Sequence, residues 1–142
     1  MGVLTDLLVA TEADLEAIGE MDYPLGQFPG LDAKGLDWVS FATLQELVTG
    51  EPYDDVLKLY DPVLIVSDDG PWISKIPANL VERLASLTET ERRTIGSRWA
   101  QTEELKRWWA EEVVQDVLKD ICDLAVRVIS QPDHVLLMWI CT

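Results

Sequence analysis

The amphipathic pattern near the C-terminus constrains the fold of this sequence more than any other feature. Apolar residues recur there every three or four positions, at Leu105, Trp109, Val113, Val117, Ile121, Leu124 and Val128. This spacing places them on one side of an α-helix. It predicts a helix of about seven turns, from about Glu103 to Ser130, that buries a face made of Val113, Val117, Ile121 and Leu124.

A helix with one apolar side must bury that side against a second layer. The near-continuous apolar run from Val135 to Ile140, just after the helix, is typical of a central strand that is buried on both faces. We therefore expect the long helix to pack on a sheet that contains this run.

The N-terminal part of the chain predicts a strand, a short helix and a long loop. Val3 to Ala10 has the composition of a strand, and Thr11 to Asp14 resembles a capping box that opens a short helix. That helix is expected to bury Leu15 and Ile18. Four of the eight glycines fall between Gly19 and Gly35, which predicts a loop over this range.

A helix and a β-hairpin are predicted in the middle of the chain. Asp37 is placed to cap a helix that Gly50 ends, and Pro52 to Tyr60 is expected to add one or two helical turns. The runs Val63 to Val66 and Trp72 to Ile76 flank an Asp-Gly turn, as in a hairpin. Pro71 makes the second strand of this hairpin a candidate for the sheet edge.

Two more helices are predicted before the long one. Pro77 suits a first helical turn, and Thr88 with Glu91 forms a capping box. The whole pattern predicts an α+β fold, in which several helices pack on a small mixed or antiparallel sheet. A length of 142 residues fits one globular domain over residues 1–142.

The formal charge of −15 disfavours nucleic acid and anionic membranes as partners, because both would repel the chain. We expect a cytoplasmic protein, because the first ten residues contain Asp6 without any lysine or arginine, unlike a secretory signal. Cys122 and Cys141 have no metal-binding or redox spacing and are expected to be reduced, small apolar residues.

Chemical motifs are sparse. His134 is the only histidine, no phosphate-binding glycine motif is present, and the acidic residues lack EF-hand spacing. We therefore expect that no metal or organic cofactor is needed. An enzyme that uses clustered carboxylates, with or without His134, is the alternative interpretation; its carboxylates are Glu51, Asp54, Asp55, Asp61, Asp68 and Asp69.

The preferred interpretation is a non-enzymatic domain that binds a basic protein, as an inhibitor of the immunity type does. The stretch from Glu51 to Asp69 combines six acids with only one lysine, Lys58, and it includes aromatic residues. Such a composition can grip a basic surface. The predicted contact residues are Tyr53, Asp54, Asp55, Tyr60, Asp68, Asp69 and Trp72. The alternative is that these acids cap helices and turns while Tyr60 and Trp72 lie in the core.

Basic residues are concentrated elsewhere. The segment 92–107 holds five basic residues and two acids, a net charge of +3, which leaves −18 for the rest of the chain. This segment is either a solvated helical face paired with nearby acids or a docking patch. Among the tryptophans, Trp38 and Trp109 are expected in the core, and one of Trp72, Trp99 and Trp108 is expected to be partly exposed.

Several segments together resemble the YfbM-like family, a group of small bacterial proteins of unknown function. They are Met1-Gly2 before a strand, FATLQELVTG from Phe41 to Gly50, IPANLVERLASLTETE from Ile76 to Glu91, and HVLLMWI after the long helix. The resemblance implies an α+β fold and a bacterial cytosolic setting. It implies no reaction.

The chain also departs from the family pattern. The family tends to have tryptophan and histidine in the helix where this chain has Phe41 and Gln45. Asp32-Ala33-Lys34 lies farther from Gly50 than the family spacing indicates. A chemical role of that family histidine would therefore not carry over to this chain.

Overall fold

A computed structural model describes residues 4–142 of the chain, so the predicted start of the first strand at Val3 and the Met1-Gly2 resemblance lie outside the described residues. The strands are β1 (Leu4–Thr11), β2 (Gly30–Asp32), β3 (Leu64–Ile65), β4 (Trp72–Lys75) and β5 (His134–Cys141). The α-helices are α1 (Leu15–Gly19), α2 (Trp38–Thr49), α3 (Tyr53–Leu57), α4 (Ala78–Ser86), α5 (Glu89–Ala100) and α6 (Glu111–Ile129).

The five strands form one antiparallel sheet in the order β2-β1-β5-β4-β3. The central strand is β5, which pairs with β1 over eight residues, from Leu4 opposite Cys141 to Thr11 opposite His134. Its residues Leu136 to Ile140 are buried. The α+β prediction and the central, doubly buried position of the last strand are confirmed.

Both faces of the sheet are covered, but unequally. Leu7 and Val9 of β1 and Leu136 and Met138 of β5 pack into a large core with α2, α4, α5 and α6. The opposite face carries a smaller cluster, made of Leu8, Ala10, Ile18, Ile73, Leu137 and Trp139. This second face therefore has a thin cover, to which α1 contributes through Ile18.

The last helix is shorter than predicted, because α6 begins at Glu111 rather than near Glu103. Its 19 residues span about 28 Å, close to the roughly 26 Å of β5 beneath it. Eight more helical residues would extend about 12 Å past this layer. Turns over residues 101–108 instead bring Leu105 into the core and place the ring of Trp109 against Gly35.

The predicted face of this helix is confirmed at Ile121, but the helix is rotated so that Val113 is exposed and Val117 and Leu124 only border the core. The buried residues are Val114, Leu118, Ile121, Cys122, Ala125 and Val128, whereas Val113 is 48% exposed. Val117 and Leu124 are only half-buried. Apolar residues stand side by side at 113–114 and 117–118, so the apolar stripe is broad and its spacing does not fix the helix rotation. No helix within residues 4–142 is both long and apolar enough to cross a membrane.

The predicted loop from Gly19 to Gly35 contains a 3-10 turn, Pro24–Gly26, and the strand β2. Gly30 begins β2 beside β1 so closely that a Cβ there would meet the carbonyl oxygen of Leu7. Periodicity could not reveal β2, because three residues are too few to show a pattern.

The hairpin prediction is confirmed, but its edge assignment is wrong. β4 pairs with both β3 and β5, so β3 is the edge strand. Pro71 lies in the turn before β4, and its missing N–H therefore falls outside the ladder. The predicted caps are confirmed at Asp37 and Thr88, and Gly50 adopts the left-handed conformation with φ of 78°.

The corrected helix face makes a direct prediction about stability. Replacing the fully buried Leu118 with alanine leaves a cavity in the core and is expected to lower the free energy of unfolding by about 2–5 kcal/mol. Val113→Ala on the exposed side is the matched control and is expected to change it by less than about 0.5 kcal/mol. Urea denaturation measures both. Equal losses for the two variants would contradict the observed rotation of α6.

Candidate functional site

Four of the predicted contact residues are exposed on the segment that leads into and follows β3. Asp54 and Asp55 occupy the first turn of α3, and Asp68 and Asp69 lie in the turn between β3 and β4. Among residues 4–142, the ion pairs are Lys75–Glu12, Arg93–Glu89 and Lys106–Glu103, so none of these four carboxylates has a cationic partner there. Their charge faces solvent without local compensation.

These acids also differ from the capping alternative. The residue that caps α3 is Pro52, whose side chain accepts no hydrogen bond, and the first N–H of the helix, that of Tyr53, donates to the carboxylate of Glu46 at 3.0 Å. In the hairpin turn, Ser67 donates from its hydroxyl to the carbonyl oxygen of Gly70, at 2.8 Å, while Asp69 accepts from Thr142 only through its backbone oxygen. The acids therefore stand near helix and turn ends without serving as side-chain caps in the described part of the chain.

The aromatic residues of the predicted site behave differently from one another. Tyr60 is buried, and its hydroxyl donates to Oε1 of Gln45 at 2.7 Å. The prediction that Tyr60 is a surface contact is therefore wrong. Burial raises the pKa of its phenol. Trp72 is half-buried and packs edge-to-face on Trp38, with 6.0 Å between ring centroids. Tyr53 is also half-buried.

Glu51 is occupied by a structural network rather than by a site. Its carboxylate accepts hydrogen bonds from Gln45 at 3.0 Å, Asn79 at 2.8 Å and Thr49 at 2.9 Å. These hydrogen bonds lower the pKa of Glu51. Because Gln45 also accepts from Tyr60, the network ties α2 and α4 to the segment before β3. Sequence patterns could not reveal this network, since Gln45 lies within an otherwise apolar helix face.

His134 lies at the opposite end of β5 from the acidic hairpin turn. Thr142, just past the other end of β5, donates from its hydroxyl to the carbonyl oxygen of Asp69, and eight residues of extended chain cover roughly 26 Å. His134 therefore cannot act together with Asp68 and Asp69. Its Nδ1 lies 2.9 Å from the carbonyl oxygen of Pro132.

A small group of charged residues surrounds His134 instead. Glu12 and Lys75 form an ion pair at 2.6 Å. Hydrogen bonds from Thr11 lower the pKa of Asp14, and the charge of His134 lowers it to a smaller extent. The adjacent cavity, of about 270 Å³, has no serine, threonine or cysteine in its lining; the lining residues are Lys75, Ile76, Ala78, Val81, Glu82, Val128, Ile129, Gln131, His134, Val135 and Leu136. A second cavity, of about 410 Å³, is lined by both Thr11 and His134. The Thr11 hydroxyl donates to the carboxylate of Asp14 at 2.9 Å, so it is not hydrogen-bonded to the imidazole. Within residues 4–142, no group of three or more histidine, cysteine or acidic side chains could hold a metal ion.

The basic segment lies on α5 and the turns that follow it. Arg93 and Lys106 pair with acids, as the solvated-face interpretation predicts. Arg92 and Arg93 line a polar groove of about 780 Å³ between α5 and α6. Of the three tryptophans in question, Trp108 is 80% exposed and Trp99 is fully buried.

The two cysteines are free, as predicted. Cys122 lies on the buried face of α6, and burial raises the pKa of its thiol to about 11. A thiol that resists ionisation is a poor nucleophile and a poor metal ligand. Cys122 therefore acts as a small apolar core residue.

Comparisons with known proteins bear on the fold. No protein-family model matches the chain, and no curated protein matches it in sequence. Among solved structures, the chain resembles YfbM from Escherichia coli, a protein of unknown function, with a TM-score of 0.48 and 15% sequence identity. The match covers 96% of this chain and 99% of YfbM. YfbM bears the name of the family that the sequence segments resemble.

A pair of acidic residues on the thinly covered face gives a testable pH dependence. Asp6 of β1 stands opposite Asp32 of β2. Burial, and secondarily the charge of Asp32, raise the pKa of Asp6 from 3.8 to about 6. The folded state therefore binds a proton more tightly than the unfolded state, and the penalty from Asp6 is relieved as pH falls from about 6 to about 4.

We expect Asp6→Asn to raise the free energy of unfolding at pH 7 by about 1 kcal/mol, after discounting for solvent around this half-buried carboxyl. The gain should disappear near pH 3, where the native carboxyl is protonated in both states. Asp32→Asn, which removes only the smaller cause, should give a smaller gain. Thermal melts at the two pH values test this, and an equal gain at both would contradict it.

Proposed function

We propose that this protein is a non-enzymatic acidic domain that binds a basic protein through the surface of the segment 53–69. The observation that carries the proposal is the set of four exposed, uncompensated carboxylates at Asp54, Asp55, Asp68 and Asp69. Tyr53 and Trp72, both half-buried, border this set in sequence and are the aromatic residues left to the proposed surface.

The net charge of this surface affects which partners it meets and how fast. The stretch from Glu51 to Asp69 carries six acids and one lysine, a net charge of −5. Clustered charge of one sign speeds encounter with an oppositely charged partner and repels partners of the same sign. An inhibitor of the immunity type that neutralises a basic toxin is the kind of protein to which this applies.

The enzyme alternative has less support. An acid–base site needs its groups within hydrogen-bond reach of one substrate. Here Glu51 is held in a hydrogen-bond network, and His134 lies roughly 26 Å from the acidic turn by strand length. The hairpin-turn carboxylates Asp68 and Asp69 therefore do not converge with the histidine.

The proposal predicts a salt-sensitive association. A partner is first captured on the immobilised protein and identified by mass spectrometry, and it is then purified for stopped-flow measurements. Changing Asp54, Asp55, Asp68 and Asp69 to Asn is expected to slow association about tenfold. Raising ionic strength should slow association of the parent in the same direction, since the Debye length is about 8 Å at physiological salt. The thermal midpoint should stay unchanged.

A charge-matched control separates this surface from net charge. Glu112→Gln combined with Asn at Asp116, Asp120 and Asp123 removes four exposed charges from α6 instead. The proposal expects this control to associate nearly as fast as the parent. Equal slowing by both sets would show that overall charge, and not the segment 53–69, steers the encounter.

A further inference from the structure

We propose that the exposed edge of β3 binds an extended, basic segment of the partner by strand addition. This inference rests on the proposed function, and it specifies how contact is made once charge has brought the partner close. Strand addition joins a peptide backbone to an open sheet edge, while alternate side chains of the peptide contact the two faces.

The edge is longer than the two residues of β3. The backbone N–H of Val63 donates to Ile73 at 2.7 Å, and that of Val66 donates to Pro71 at 3.1 Å. The second bond extends the regular pairing with β4 to Val66, whereas Val63 bonds to Ile73, the residue that already stands opposite Leu64. β3 is the last strand in the sheet order, so its outer side has no neighbouring strand within residues 4–142.

The side chains along this edge are aliphatic and unusually exposed. Val63 is 54% exposed, Ile65 59% and Val66 49%, and Leu59 just before them is 50% exposed. Exposed aliphatic residues scattered singly need no explanation, but a contiguous group of them marks an interaction surface. This group coincides with one of the two edges of the sheet, the other being β2.

The two faces of the edge differ, because α1 covers part of one of them. Ile65 stands opposite Trp72, on the side of the large core. Leu64 and Val66 lie against Gly19 of α1 on the other side. Alternate residues of an added strand would extend these two apolar surfaces.

Charge indicates which occupant fits. Asp61, Asp68 and Asp69 are exposed at the two ends of the edge. Where β3 meets α1, a cavity of about 390 Å³ is lined by Leu15, Val63 and Leu64 together with Glu12 and Glu16. Glu12 already pairs with Lys75, so a lysine or arginine whose aliphatic stem packs on the apolar residues would meet the carboxylate of Glu16 in this cavity.

The edge carries only part of the usual protection: β3 is short, and a proline precedes it. Proteins commonly blunt an edge with lysine or proline. Pro62 precedes β3, but no lysine occurs between Leu59 and Gly70. Pairing between two copies would bring the same acids together, which like-charge repulsion disfavours. A basic strand from a different protein is therefore the occupant that we infer.

The test uses a synthetic eight-residue peptide of alternating lysine and valine. A peptide of equal composition with four lysines followed by four valines is the matched control. Binding is measured by calorimetry and amide exchange by NMR. We expect the alternating peptide to bind at least about tenfold more tightly and to slow amide exchange within residues 63–66. N-methylation of alternate peptide amides along one edge should abolish binding, whereas methylation along the other edge should not.

Variants of the protein complete the design. Val63→Lys combined with Ile65→Lys should weaken binding of the alternating peptide by more than about tenfold, because lysine on the edge opposes a basic strand. Val126→Lys, at a residue of similar exposure on α6, should leave binding unchanged. Thermal melts of each variant establish that it is folded.

Several outcomes would overturn the inference, and they separate it from the proposed function. If both peptides bind equally, with salt dependence and without protection of residues 63–66, the acidic surface binds basic chains but not by strand addition. If neither peptide binds at low salt, the proposed function fails as well. If sedimentation shows a dimer of the free protein that the lysine variants abolish, the edge serves self-association instead.

Discussion

The rest of the structure depends on the pairing of β1 with β5. These first and last elements of the described chain form eight consecutive pairs, at the centre of the sheet. Closing a loop of more than 120 intervening residues is entropically unfavourable. The helices between the two strands must therefore contribute enough buried apolar area to offset it, and Leu118 of α6 and Leu80 of α4 lie in that core. The sheet can therefore form only together with the layer of helices α2, α4 and α6.

The same topology explains why β3 is an edge strand of the sheet. Because β1 and β5 take the centre, the hairpin β3–β4 can join only at one side, and its first strand becomes the edge. Tyr60 anchors the start of this hairpin from within: its carbonyl oxygen accepts from the Ser74 hydroxyl at 2.7 Å, and its own hydroxyl donates to Gln45. Tyr60, which was predicted to contact a partner at the surface, instead holds the start of the hairpin in place.

The sequence was informative where many residues share one signal and less so elsewhere. Capping at Asp37 and Thr88 and the apolar run of β5 are local patterns, so they predicted α2, α5 and the central strand correctly. The rotation of α6 was missed because Val113 and Val114 are both apolar, and only tertiary packing chooses between them. In the site, exposure of the four aspartates followed from composition, whereas burial of Tyr60 depended on a partner fifteen residues away.

The high negative charge of the chain offsets a hazard of the exposed edge of β3. An exposed aliphatic edge would by itself invite pairing between copies and aggregation. A net charge of −15 makes every such encounter between copies repulsive, while it leaves encounters with basic chains attractive. The screening length of about 8 Å at physiological salt means that these charges act only on a chain that is already close to them. Asp61, Asp68 and Asp69 flank β3 in sequence, so they act on a chain that approaches this edge. In the proposed binding, the acids would first repel acidic strands and attract basic ones, and the aliphatic residues would then supply the apolar area that retains a basic strand.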